Sequence, residues 1–373
     1  MVTGWIRAVP NLADMQKTFS LLLALALLIA ACSGEEAAES TSTSLADATS
    51  TSSSTATSST TSTVAPTTTE AGDRSLINGL PVESPELLER RVLAVKIDNH
   101  PRANPQSGIN EADMVIELLV EGITRYLSIW HESDSDYLGP MRSGRPTDPT
   151  ILAGMNEPTF AISGAQNWVQ QLIRSMDVRL IGEVGRPQTF RVSGRSAPHN
   201  LYVDTNALRD YADDREYPNE PPAGPLWPFG PMSDLAEPVT EITIDFSGNT
   251  VVWNWDEEAG KWFRTGYGEP TTYRDQEGNE EPLGVPVMVA LYVDQYTVSP
   301  PSGVSGSALP SSRTTGSGAA FVFADGKVTE GTWEREAETE WFTLRDENGE
   351  VMLVPPGKVW VSMVPSSRGL TYR

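Results

Sequence analysis

Hydrophobic and polar positions change rhythm several times along this chain. Between Val92 and Ser163 the apolar residues come in short β-branched runs: VLAVKID at Val92–Asp98, DMVIELLV at Asp113–Val120, then Ile123–His131 and Pro158–Ser163. Runs of this length bounded by turn residues predict buried strands, and Glu121-Gly122 predicts a hairpin tip between the second and third. The segment from Asn99 to Gly108 is a turn-rich loop. Trp168, Val169, Leu172, Ile173 and Met176 recur at helical spacing. Helices are also expected over Thr147–Met155, with Thr147 or Asp148 near the N-cap and Pro149 in the first turn, and over Asp204–Asp213. Past residue 238 only strand patterns remain: Val239–Phe246, Thr250–Trp255, Trp262–Thr265, Val285–Val298, Phe321–Phe323, Val328–Trp333, Trp341–Leu344, Val351–Val354 and Gly357–Val364. Asp325-Gly326 and Asn348-Gly349 supply hairpin turns, and Ser299–Gly318 is expected as an exposed, mobile loop. The pattern predicts an α+β (mixed α/β) N-terminal domain over residues 75–222 and an all-β C-terminal domain over 239–373, an antiparallel sheet, sandwich or barrel. Seven prolines between Tyr217 and Pro238 make residues 223–238 a stiff connector.

Upstream of the folded part the pattern is an address. Lys17 precedes a thirteen-residue apolar run, Phe19–Ala31, too short to span a bilayer comfortably and suited to a signal-peptide core. It ends in Leu28-Ile29-Ala30-Ala31-Cys32, which resembles a bacterial lipobox. Residues 1–31 are therefore expected to be removed, with the upstream Met1 a misassigned start and Met15 the more ordinary one, and Cys32 to carry the lipid. A diacylglyceryl group plus an N-acyl chain suffices for stable anchoring. Ser and Thr make up 22 of the 30 residues from Ser40 to Thr69, so residues 32–74 are expected to be a disordered tether. The expected location is the extracytoplasmic face of the cell membrane, with no transmembrane helix in the mature protein.

Charge narrows the partners. With 27 basic and 50 acidic residues the formal charge is -23, which excludes nucleic acid and electrostatic adhesion to anionic lipid. Cys32 is the one cysteine, so no internal disulfide and no active-site thiol is available to the folded part. Against this acidity, residues 140–200 hold seven arginines and four carboxylates. The stretch Glu121–Pro146 sets Arg125, Arg142 and Arg145 around a Gly/Pro-broken loop, and a guanidinium fork binds carboxylate or phosphate in bidentate fashion. Equally, these arginines can pair with Glu117, Glu121 or Asp113 inside the domain, and Glu117 and Arg125 are expected within contact. The three histidines, His100, His131 and His199, lack the spacing of a metal motif, and neither metal nor cofactor is expected. His199 beside Asn200 suits a ligand contact or general base, whereas His131 ends a strand. No hydrolase elbow, P-loop or dinucleotide fingerprint is present. The C-terminal tryptophans read as core and cross-strand pairs rather than a carbohydrate platform.

The order NGLP at Asn78–Pro81, AVKIDNHPRANPQSGINEADMVIELLVEGITRYL, GPMRSGR and APHNLY at Ala197–Tyr202 resembles the YerB-like lipoprotein family, over nearly the whole folded chain. The resemblance implies a lipid-anchored, extracytoplasmic two-domain protein and no established reaction. Its motifs mark Asn99, His100, Gln106, Ser107, Glu117, Glu121, Arg125, Arg142, Ser143, Arg145, His199 and Asn200. Lys96 and Asp98 stand where similar chains tend to carry apolar and amide residues. The function expected is a binding or scaffold module whose arginine-lined pocket takes an anionic ligand, a cell-wall component or an envelope protein. The alternative is a hydrolase of wall glycans or phosphodiesters with Glu121 or His199 as acid/base. The lipobox makes one direct prediction: Cys32→Ser moves the protein from the membrane to the soluble fraction and abolishes incorporation of labelled fatty acid, and retention of either property contradicts it.

Overall fold

The computed structural model describes residues 73–182 and 186–373, with the two-residue strand Arg7–Ala8. The rest of the expected signal segment, Cys32 and the expected tether up to residue 72 lie outside the described residues, while Arg74, at the end of that tether, bridges to Pro81. The first strands follow the apolar runs: β1 Leu93–Asp98, β2 Met114–Leu119 and β3 Thr124–Trp130, buried almost throughout. Gly122 turns the β2–β3 hairpin at φ 78°, a conformation that costs glycine little. Helix α1 covers Thr147–Leu152 and continues as a single 3₁₀ turn, β4 is Thr159–Ala161, α2 is Asn167–Ser175, β5 is Arg179–Ile181, and α3 is Thr205–Asp214. Asp204 caps α3 by accepting the N–H groups of Asn206 and Ala207. At α1 Thr147 and Asp148 lie beside the N-cap as expected. Pro146 holds the cap position, Thr147 is already helical, and Asp148 reaches back to accept the Arg145 N–H at 2.7 Å.

The later strands are β6 Glu241–Asp245, β7 Thr250–Asp256, β8 Lys261–Gly266, β9 Val287–Val293, β10 Gly316–Ala324, β11 Lys327–Arg335, β12 Thr343–Asp346, β13 Val359–Pro365 and β14 Leu370–Tyr372. One large sheet runs β12-β11-β10-β9-β13-β2-β3-β1-β4-β5 through both halves of the chain. Its seam is β13, which pairs parallel with β9 on one side and with β2 on the other. Residues from 73 on belong to one compact unit. A smaller sheet, β14-β6-β7-β8, covers one face of the large one, and α1 and α2 cover the other. Two apolar cores result. Ala94, Met114, Ile116 and Ile129 meet Ile151, Trp168 and Val169 on the helix side, while Val115, Tyr126, Met288 and Trp360 meet Ile242, Val251, Trp253 and Trp262 on the sheet side.

Three expectations change. The connector is packed in: Leu226 and Trp227 are buried, and the Trp227 indole donates to the Phe342 carbonyl at 2.9 Å. Within Ser299–Gly318, Leu309–Ser312 forms a ribbon with Gln295–Val298, because the Thr147 hydroxyl meets Ser311 and Ser312 and buries both. Val351–Val354 forms only isolated bridges, since Pro228 and Pro355, beside and after it, have no N–H to extend a ladder. Trp253, Trp262, Trp333 and Trp360 are buried, which leaves no sugar platform among them.

An ion pair joins the two sheets. Glu117 of β2 accepts from Arg264 of β8 at 2.7 Å, with both side chains at most 1 % exposed. Arg264→Leu strands a buried carboxylate and is expected to cost about 3–5 kcal/mol, whereas Glu117→Leu combined with Arg264→Leu costs less than Arg264→Leu alone. Urea unfolding of the two variants checks this, and a double variant less stable than the single one contradicts it.

Candidate functional site

Strand alternation divides the expected site residues between two faces. Asp98 at the end of β1, Lys96 two residues before it, and Arg125 opposite Asp98 on β3 belong to the helix side. Glu117 lies opposite Tyr126 on the sheet side, so Glu117 and Arg125 do not meet, contrary to expectation. Glu117 is used up internally. It accepts from the Thr124 hydroxyl and Arg264, each at 2.7 Å, and from the Trp360 indole at 3.2 Å.

On the helix side, Glu121 at the hairpin tip takes two of the three arginines. Arg145 donates to it at 2.5 Å and Arg125 lies 3.5 Å from its second oxygen. Burial pushes the Glu121 carboxyl up, but the Arg145 hydrogen bond and the charges of Arg145 and Arg125 outweigh it and hold the group below its ordinary value. Arg125 also donates to the Ser143 carbonyl at 3.0 Å, and burial with the nearby Arg145 charge lowers it to about 10. Lys96 and Asp148 form a fully buried pair at 2.6 Å, in which desolvation lowers the ammonium although Asp148 opposes the shift. Asp113, a candidate arginine partner, instead accepts the N–H groups of His131, Glu132 and Ser133, and burial with the Glu132 charge raises it to about 6.

The remaining arginine and two histidines converge on Asp98. The segment 138–142 runs beside the end of β1: Asp98 N–H donates to Pro140 O at 2.8 Å, and Arg142 N–H to Lys96 O at 2.7 Å. This places Arg142 Nε 3.5 Å from Asp98 Oδ2, with a quarter of the arginine side chain exposed. The same oxygen lies 2.7 Å from His199 Nδ1, and Asp98 Oδ1 accepts the His100 N–H at 3.0 Å. The rings of His100 and His199 stack with centroids 4.7 Å apart. Asp98 is fully buried, whereas His100 is partly exposed. Among the described residues no hydrogen bond engages Nε2 of either ring.

Asn99 and Asn200 are structural. Asn99 donates to Thr124 at 2.7 Å and accepts from Gln106 at 3.2 Å. Asn200 binds the Val192 and Arg195 carbonyls and accepts from Arg191 at 2.5 Å. His131 is buried between Glu132 and the Arg90 carbonyl. Asp98 is the unexpected member of this site, and its one signal in the sequence is a carboxylate closing an apolar strand before Asn-His-Pro. Arg264 and Tyr267, whose hydroxyl donates to Asn99 O at 3.1 Å, gave no local signal.

Burial, the neighbouring His199 and the positive Arg102 and Arg142 keep the His100 imidazole below its ordinary value of 6.5, against the pull of Asp98. A histidine lowered in the folded state contributes its full stability above the unfolded value and loses it as pH falls below about 6.5. Proton NMR titration is expected to place the His100 midpoint below 6.5 and to move it upward in Arg142→Ala; a midpoint above 6.5 contradicts this geometry.

Residues 77–218 match the family described as "Protein of unknown function (DUF3048) N-terminal domain", and residues 242–361 match its C-terminal domain. A relative in Bacillus subtilis (strain 168), "Putative lipoprotein YerB", is 27% identical over 299 residues, covering 78% of this chain and 85% of the relative. The crystal structure of the YerB protein from Bacillus subtilis superposes with a TM-score of 0.68 at 24% identity, covering 80% of this chain and 99% of that one. The chain belongs to the YerB-like family, which is built from paired DUF3048 domains.

Proposed function

We propose that this protein is a lipid-anchored binding module on the extracytoplasmic face of a bacterial membrane, taking an anionic group at Arg142 beside the His100–His199 pair. The lipobox-like segment at Cys32, the tether over residues 32–74 and the relative named a putative lipoprotein support the anchor. The observation that carries the site is the division of labour among the arginines. Arg125 and Arg145 are spent on Glu121, while Arg142 shares the buried Asp98 carboxylate with His199 and keeps a quarter of its side chain in solvent. A carboxylate or phosphate at Arg142 would meet a guanidinium fork and two imidazoles. The natural ligand would be a wall component or envelope protein bearing such a group.

One contact favours a second reading, acid–base catalysis. Asp98 fixes His199 through Nδ1 and leaves Nε2 for proton transfer. Glu121 is a poor acid for such chemistry, because its two arginines keep it a carboxylate.

Titration of the soluble chain with inorganic phosphate or acetate, followed through the histidine ring signals, tests the binding reading. His100 and His199 are expected to shift saturably, and Arg142→Ala to weaken the interaction about tenfold, the worth of one charge-assisted hydrogen bond. Equal affinity in Arg142→Ala removes the reading. Turnover of a wall glycan or phosphodiester that vanishes in His199→Gln would install the catalytic one.

A further inference from the structure

A second cavity lies away from Asp98. A cleft of about 740 Å³ opens where β2 and β13 begin, between the loop through Ile109 and Ala112 and a ribbon formed by Thr272–Arg274 and Glu280–Pro282. Its walls are mostly apolar, with Leu80, Phe263 and Tyr273 facing it over the buried Leu283 and Trp360, and Glu281 adds one carboxylate. The ribbon closes over it as a flap, tied at its base by the Arg274 N–H on the Gln106 carbonyl at 2.8 Å and across its width by the Tyr273 hydroxyl on Glu281.

Two of the chain's five lysines, Lys261 and Lys358, line this cleft in a protein with 50 acidic residues. Lys358 donates to the Asn110 and Glu111 carbonyls at 2.8 and 2.9 Å, which leaves one ammonium proton uncommitted. Among the described residues neither lysine has a carboxylate within ion-pair distance. Burial lowers the Lys358 ammonium against the pull of the Asp113 and Glu111 carboxylates, and the charge of Lys261 adds to that lowering. A volume of this size with mostly apolar walls and a few polar groups suits a drug-sized ligand, and two lysines against one lining carboxylate favour negative charge at its edge.

We propose that the cleft binds a small amphipathic anion, its apolar or aromatic body lying against Leu80, Phe263 and Tyr273 and its acidic head at Lys358 and Lys261. This site is independent of Arg142, and the flap and both lysines come from the C-terminal half of the chain.

Anilinonaphthalene sulfonate and its uncharged analogue phenylnaphthylamine separate the two parts of the proposal. The protein used is the chain beginning after Cys32, which retains both cores and every described element from residue 73 on. The sulfonate is expected to show saturable, one-site fluorescence enhancement on the native protein, with the uncharged ring system binding about tenfold more weakly. Lys358→Met is expected to erase that preference. Lys261→Gln, at an exposed position outside either core, is expected to reduce it with an unchanged melting temperature. Arg142→Ala is expected to bind the dye as the parent does. Absence of saturable binding, equal binding of the two dyes, sulfonate affinity unchanged in Lys261→Gln, or its loss in Arg142→Ala would each overturn the proposal.

Discussion

The structure turns on the Glu117–Arg264 ion pair. Taking two charges out of water costs several kcal/mol per ion, and the cost is offset only when each charge finds its opposite and the remaining lone pairs are satisfied. Glu117 meets that condition through Thr124, Arg264 and Trp360. The Arg264 guanidinium also lies 5.6 to 5.9 Å from the rings of Tyr126, Trp253 and Trp360. A one-residue register slip of β2 or β8 within its own sheet would bring the opposite strand face inward and strand both charges. An ion pair of this kind specifies how the small sheet docks on the large one, which apolar contacts alone specify less sharply.

The candidate anion site grows out of this anchor. Asp98 and Asn99 are consecutive and point to opposite faces of the sheet. Asn99 continues the buried chain of hydrogen bonds through Thr124 to Glu117, while Asp98 gathers His100, His199 and Arg142 on the other side. Tyr267, from the loop after β8, closes onto the Asn99 carbonyl. The C-terminal half therefore steadies the turn that carries His100. The last residue of β1 and the one after it connect the device that assembles the fold to the group that holds the histidines.

Much of the architecture was legible because strands buried on both faces write short, unbroken apolar runs into the sequence. VLAVKID, DMVIELLV and the Ile123–His131 run each became a strand of the large sheet within a residue or two, and Gly122 marked the turn. The misread segments have a common cause. Ser299–Gly318 and the proline connector are polar or Pro-rich locally, yet both are held by partners distant in sequence: Ser311 and Ser312 by Thr147, and Trp227 by the Phe342 carbonyl. Local composition carries no record of such contacts.

By itself the sequence carried a lipoprotein-like motif at Cys32, an acidity that argues against nucleic acid, the run of strands and the cluster of arginines around Glu121–Pro146. It could not assign partners to those arginines. Arg125, Arg142 and Arg145 are alike in type and close in number, yet two meet Glu121 and one meets Asp98. Glu117 was bound to an arginine 147 positions away. Those choices were made by which strands lie side by side and which faces they turn inward. Insertion of β13 between β9 and β2 decides the first, and docking of the small sheet decides the second. Both are long-range packing events, and a charge finds its partner only after they have occurred.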